Sequence, residues 1–171
     1  DVAVPSRIHR YLPSTGTHDT WPMTEMVTAM AKRADGTLLV ASENGINVFD
    51  PATRAYRRLF ELEPHLPGNR SNDGAPDARG RFWIGTMQNN LGPNGEAIAI
   101  EGPSGSLWRV EPEKPPVAVM GDLSITNGVA WSPDSTKLYV VDSMVDRIYV
   151  CDFDLDTGAV GPRRVFNDVS G

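Results

Sequence analysis

Apolar residues come in short runs of about five, rich in Val, Ile, Leu, Tyr and Trp, with Gly, Pro, Asp and Asn in the gaps between them. That pattern predicts many short strands joined by tight turns. Almost nothing carries the period of an amphipathic helix. The segment Met23–Lys32 contains good helix formers such as Met26, Ala29, Met30 and Ala31. It shows no clear apolar face, however, and runs into the turn signal Ala34-Asp35-Gly36-Thr37, so a helix is not the expectation there.

The runs repeat. One unit has the turn Asp35-Gly36-Thr37, an apolar strand to Ser42, a second strand from Gly45 to Phe49 closed by Asp50-Pro51, and a run from Tyr56 to Phe60. A second unit begins at Arg79-Gly80-Arg81, continues through Phe82-Trp83-Ile84-Gly85-Thr86, and follows with Gly105 to Pro112 and Val117 to Met120. A third begins at Asp134-Ser135-Thr136, continues to Ser143, and follows with Arg147 to Leu155, the turn Asp156-Thr157-Gly158 and Arg163 to Phe166. The chain opens inside a fourth, at Arg7–Tyr11. Gly36 and Gly80 stand 44 positions apart and Gly80 and Ser135 stand 55 apart, the span of a propeller blade with one insertion. The expected class is therefore all-β, a β-propeller. A β-sandwich also has many short strands but gives no reason for the unit to recur. Phe82, Trp83, Trp108 and Tyr139 are candidates for the layers between blades. The extra length of the second unit, Gln88 to Gly105, either borders a site or is a solvated surface loop.

The 171 residues, 40% of them hydrophobic, are enough to bury a core, and the net charge of -6 argues against nucleic acid as a partner. The apolar runs are too short to cross a bilayer, so no membrane association is expected. The single Cys151 rules out an internal disulfide; in an apolar strand it reads as packing, and a reducing cytoplasm is the expected location. No Gly-x-Ser-x-Gly elbow is present, and His9, His18 and His65 have no metal-ligand spacing. The run Asp152–Gly158 has Thr157 where a calcium loop needs glycine and Arg163 where it needs glutamate, so it reads as a strand entering a turn.

Two segments carry candidate chemistry. Asn69-Arg70-Ser71-Asn72-Asp73-Gly74-Ala75-Pro76-Asp77 packs a cation, amides and carboxylates into what reads as a turn before a strand, and Ile125-Thr126-Asn127-Gly128-Val129-Ala130-Trp131 reads as an Asn-Gly bend leading into an apolar stretch. On composition alone both are turn chemistry first. Yet the first segment, continued through Asp77-Ala78-Arg79-Gly80-Arg81-Phe82-Trp83-Ile84-Gly85-Thr86-Met87, is similar to the signature of the senescence-marker/gluconolactonase/regucalcin family. Thr126-Asn127-Gly128-Val129-Ala130-Trp131-Ser132-Pro133-Asp134 resembles a second block of that family.

The resemblance implies a six-bladed propeller, of which residues 1–171 form a single domain of about three to four blades, incomplete at both ends. It implies metal-dependent hydrolysis of a sugar lactone with one divalent metal ion, calcium, zinc, magnesium or manganese. By position, Asn127 matches a metal ligand, Arg70 and Asn72 match substrate-binding residues, and Asp73 supports them or forms the turn. A third substrate position, usually acidic in the family, falls on Asn90, which keeps hydrogen bonding but removes a charge. The family's glutamate ligand precedes the start of the chain, and the aspartate that is both ligand and general base follows its end. No catalytic base is therefore assigned. A non-catalytic calcium-binding propeller and a protein-interaction propeller stay open beside the lactonase.

Overall fold

The computed structural model describes residues 6–169. Among them no helix is long and apolar enough to cross a membrane, and the regular structure is antiparallel β-sheet in four successive groups. The hairpin β1 (Arg7–Leu12) and β2 (Thr17–Pro22) comes first. The second sheet is β3 (Val27–Lys32), β4 (Leu38–Ser42), β5 (Gly45–Phe49) and β6 (Tyr56–Glu61), in that order. The third is β7 (Asn69–Pro76), β8 (Phe82–Gln88), β9 (Gly105–Val110) and β10 (Val117–Leu123). The fourth is β11 (Thr126–Trp131), β12 (Lys137–Asp142), β13 (Arg147–Asp154) and β14 (Ala159–Val160), with β15 (Arg164–Asp168) also on β13.

Each of the three larger sheets begins with a strand that the apolar pattern does not show. Met23–Lys32 holds strand β3 and no helix; the polar segment from Asn69 is not a turn before a strand but strand β7 itself; the Asn-Gly bend is the start of β11. Each of these three carries a register shift against its partner: around Thr28, around Asn72 and Asp73, and at Gly128. A bulge adds an unpaired residue and breaks the period of two. At the far end, Asn167 and Asp168 belong to β15 and pair with Ile148 and Arg147 of β13. Asp1, Ser170 and Gly171 lie outside the described residues.

The hairpins after β3, β7 and β11 place Gly36, Gly80 and Ser135 at φ of 86°, 79° and 55°. These are the three positions on which the repeat was aligned; a left-handed residue at the same place in each unit reflects one shared turn. Ser135 adopts it without glycine's freedom, aided by Asp134, whose Oδ1 accepts the Thr136 N–H at 3.1 Å.

Three apolar layers separate the four groups. Ile8 and Trp21 of the hairpin pack with Val27, Val40 and Phe49. Ala41, Ile46 and Leu62 pack with Phe82, Ile84 and Val110. Trp83, Leu107 and Leu123 pack with Val129, Leu138, Val140, Cys151 and Phe153. Successive residues of β8 point to opposite faces, so Phe82 enters one layer and Trp83 the next, and the third sheet is buried on both sides. Trp108 packs against the Phe82 layer, whereas Tyr139 meets Phe166 of its own sheet, ring to edge at 5.1 Å. Cys151 is buried, and its desolvation raises the thiol's pKa.

The sequence Asp77-Ala78-Arg79-Gly80-Arg81-Phe82-Trp83 closes the β7–β8 hairpin around one carboxylate. Asp77 Oδ1 accepts the N–H of Arg79 at 2.9 Å and of Arg81 at 3.1 Å, and its Oδ2 accepts Arg81 Nε at 2.7 Å and Trp83 Nε1 at 3.0 Å. Arg81 reaches onward to the fourth sheet, where its Nη2 donates to the Leu155 carbonyl at 2.6 Å, and Arg109 Nη1 donates to the Gly158 carbonyl at 2.6 Å. Arg79 pairs with Asp156 beside them. The run Asp152–Gly158 is thus the end of β13 and a turn gripped by three arginines. Replacing Asp77 with alanine strands the buried Arg81 charge, and urea denaturation should record a loss of about 3–5 kcal/mol; a loss within about 0.5 kcal/mol, the scale of an ordinary surface substitution, would show that the clamp contributes little.

Candidate functional site

The bulged starts of the inner strands lie side by side at one rim. Thr28 Oγ1 of β3 and Ser71 Oγ of β7 are 2.5 Å apart, and β7 bonds β11 through the bulge residues themselves. Asn72 Nδ2 donates to the Thr126 carbonyl and to Asn127 Oδ1, both at 2.9 Å. Asp73 takes the Gly74 N–H at 2.8 Å on one oxygen and the Gly128 N–H at 2.7 Å on the other. Asp73 therefore fastens one bulge to the next. Gly128 sits at φ 59°, and a Cβ there would meet Val141 at 3.1 Å, so the left-handed residue of this bend is the glycine rather than Asn127.

Arg70 begins the run. Its Nη1 donates to the Ser71 carbonyl at 2.9 Å and to Asn72 Oδ1 at 3.0 Å, and its Nη2 donates to Asn90 Oδ1 at 2.8 Å. Asn127 Nδ2 continues to Ser143 Oγ at 3.0 Å. The four residues expected from the sequence, Asn90, Arg70, Asn72 and Asn127, thus form one hydrogen-bonded chain across two sheets, with Ser143 at its end. Asn90 joins it from the Gln88–Gly105 connection, which borders this rim. Arg70 is 6% exposed, and among the described residues its buried Nε has no partner. Burial draws the guanidinium's pKa down, and the nearby Glu43 carboxylate acts in the opposite sense.

A buried network that the sequence does not advertise holds the start of β7. Glu63, 4% exposed and at φ 48°, accepts Thr86 Oγ1 at 2.8 Å and Trp108 Nε1 at 2.9 Å on Oε1, and Asn69 Nδ2 at 2.8 Å on Oε2. Asn69 Nδ2 also donates to the Ser104 carbonyl at 2.9 Å, and its Oδ1 accepts Ser104 Oγ at 2.8 Å. Glu63 thereby ties the residue before Arg70 to the return end of the connection that carries Asn90. Nothing in the local pattern around Glu63-Pro64 signals this, because its partners lie in β7, β8 and β9.

Asn127 Oδ1 has two lone pairs and spends one on Asn72, so it could offer the other to a cation. Among the described residues no three His, Cys, Asp or Glu side chains converge as a metal group. Calcium takes about 6–8 oxygens, so these residues fit as part of a coordination shell and do not complete one. A cavity of about 370 Å³ lined by Leu39, Val48, Leu59, Phe60 and Val110 lies at the opposite, hairpin end of the sheets and contains none of the chain Asn90–Arg70–Asn72–Asn127.

Antiparallel sheets stacked on apolar layers, with polar bulged strands meeting at one rim, have the architecture of a β-propeller, here with its sheets not closed into a ring. Residues 3–171 match the SMP-30/Gluconolactonase/LRE-like region, and the chain belongs to that family. It is 32% identical over 162 residues to a 6-deoxy-6-sulfogluconolactonase of Pseudomonas putida, covering 95% of this chain and 52% of that protein. It is 34% identical over 134 residues to an L-arabinolactonase of Azospirillum brasilense, covering 78% and 42%. The solved structure of a calcium-binding protein, regucalcin, from Agrobacterium tumefaciens strain C58 superposes with a TM-score of 0.86 at 34% identity, covering 98% of this chain and 54% of that one. The chain spans about half the length of these relatives.

The Glu63 network admits only a pure acceptor. In Glu63→Gln either orientation of the amide turns its NH2 against the Asn69 amide or the Trp108 indole N–H, so denaturation should show a loss of about 1–3 kcal/mol. Unchanged stability would mean that the three donors find other partners.

Proposed function

We propose that this chain is part of a sugar-lactone hydrolase and covers three to four blades of a six-bladed propeller. The observation that carries the proposal is the continuous hydrogen-bonded chain Asn90–Arg70–Asn72–Asn127 at one rim of the stacked sheets. A lactone is an activated ester, so a positioned water suffices for its hydrolysis without a serine nucleophile. In this reading the Arg70 guanidinium and the amides of Asn72 and Asn90 hold the sugar hydroxyls and the lactone oxygens. Asn127 Oδ1 is one ligand of a divalent cation, which supplies Lewis acidity when bound. The remaining ligands and the general base belong to residues outside this chain. Mixed oxygen donors do not choose sharply among calcium, magnesium, manganese and zinc. The relatives named as lactonases support the reaction class, and the single buried Cys151 suits a reducing cytoplasm.

The test is lactone hydrolysis by the full natural protein, followed by proton release from an aldonolactone with and without a chelator. Chelation should abolish turnover. Arg70→Ala and Asn127→Ala should each lower kcat/KM by about a hundredfold, with Asn127→Ala also raising the metal concentration required. Calcium binding without turnover would replace this reading with a non-catalytic calcium-binding propeller, which the regucalcin neighbour favours. Neither metal binding nor turnover would leave an interaction propeller.

A further inference from the structure

Among the described residues, no carboxylate touches the positive charge of Arg70 at the proposed site. The contacts of Arg70 among the described residues go to the Ser71 carbonyl, Asn72 Oδ1 and Asn90 Oδ1. All three acceptors are neutral. Its Nε has no partner although it is buried, and the residue as a whole is 6% exposed. Neither Asp73 of the same strand nor Glu43 supplies a counter-ion among the described residues. Asp73 spends both oxygens on the backbone N–H groups of Gly74 and Gly128, and Glu43 acts on Arg70 through space without an ion pair among the described residues. Elsewhere in this molecule a buried arginine has its counter-ion: Arg81 lies against Asp77 at 2.7 Å, with side chains 9% and 0% exposed. A desolvated guanidinium with only neutral acceptors is costly, and an arriving anion removes that cost.

We infer that the site is built for a sugar lactone carrying an anionic oxyacid group, a carboxylate or sulfonate, with Arg70 as the residue that selects for it. The inference rests on the lactonase reading and adds the charge of the substrate to it. An oxyanion matches the planar fork of a guanidinium. Asn90 is the partner best placed to yield, since it is half-buried and comes from a long connection rather than from the β7 strand. A neutral amide in that place leaves the charge of Arg70 available to the substrate, where an aspartate would cancel it.

The experiment compares glucaro-γ-lactone, which carries a free carboxylate, with the neutral galactono-γ-lactone, which shares its ring size, on the full natural protein. We expect kcat/KM to favour the charged lactone by about tenfold or more, with the preference weakening as salt is added. Asn90→Asp should bring the ratio to about one or below by restoring a counter-ion to Arg70. Equal or better use of the neutral lactone by the unmodified protein, or a ratio that Asn90→Asp leaves unchanged, overturns the inference. If neither lactone is hydrolysed, the lactonase reading fails. Calorimetric binding of the same two compounds then decides the charge preference separately: tighter binding of the carboxylate, lost in Asn90→Asp, supports it, and equal binding refutes it.

Discussion

The carboxylate of Asp77 accepts two backbone N–H groups, a guanidinium and an indole, and everything at the β7–β8 hairpin is arranged around it. Because Arg81 goes on to the Leu155 carbonyl, the same group that shapes one hairpin also sets the distance to the next sheet. Trp83, held by its indole N–H, is thereby aimed into the layer it shares with Trp131 and Phe153, with ring centroids 5.9 and 5.6 Å away. Sheets in this architecture touch mainly through apolar faces, which resist separation but permit sliding. Directional bonds of this kind supply what those faces lack.

The opposite ends of the same strands work differently. There the inner strands give up regular pairing, and bulges at Thr28, at Asn72 and Asp73, and at Gly128 turn side chains toward neighbouring strands. One end of each sheet is therefore a packed, clamped hairpin, and the other presents amides, a hydroxyl and a guanidinium in contact with one another. Bulges pair naturally with function because they re-aim a side chain without loosening the rest of the ladder.

Four buried charged residues illustrate three solutions to desolvation. Asp77 and Arg81 neutralise each other. Glu63 is satisfied by three donors from different strands and ties the start of β7 to the neighbouring connection. Arg70 has neutral acceptors and an idle Nε. The first two are complete within the chain, and the third is the one that lies at the polar rim.

The repeat, the all-β class and the strands β1, β4, β5, β6, β8, β9, β10, β12, β13 and β15 are legible in the sequence, because these strands carry short apolar runs and their turns carry Gly, Asp and Pro at matching places. The identities of Arg70, Asn72, Asn90 and Asn127 as candidates came from motif resemblance, since an Asx-Gly cluster by itself is turn chemistry. The strands β3, β7 and β11 are not legible, because they carry polar or small residues that are satisfied by neighbouring strands rather than an apolar alternation. Nor could local sequence show Asn90 meeting Arg70 across 20 positions, Asn72 meeting Asn127 across 55, or Glu63 collecting donors from three strands. Sequence determines what each segment can pair with by its own periodicity and turn residues; only the stacking of sheets decides which bulged, polar segments are brought together, because those contacts are long-range and leave no periodic trace in the chain.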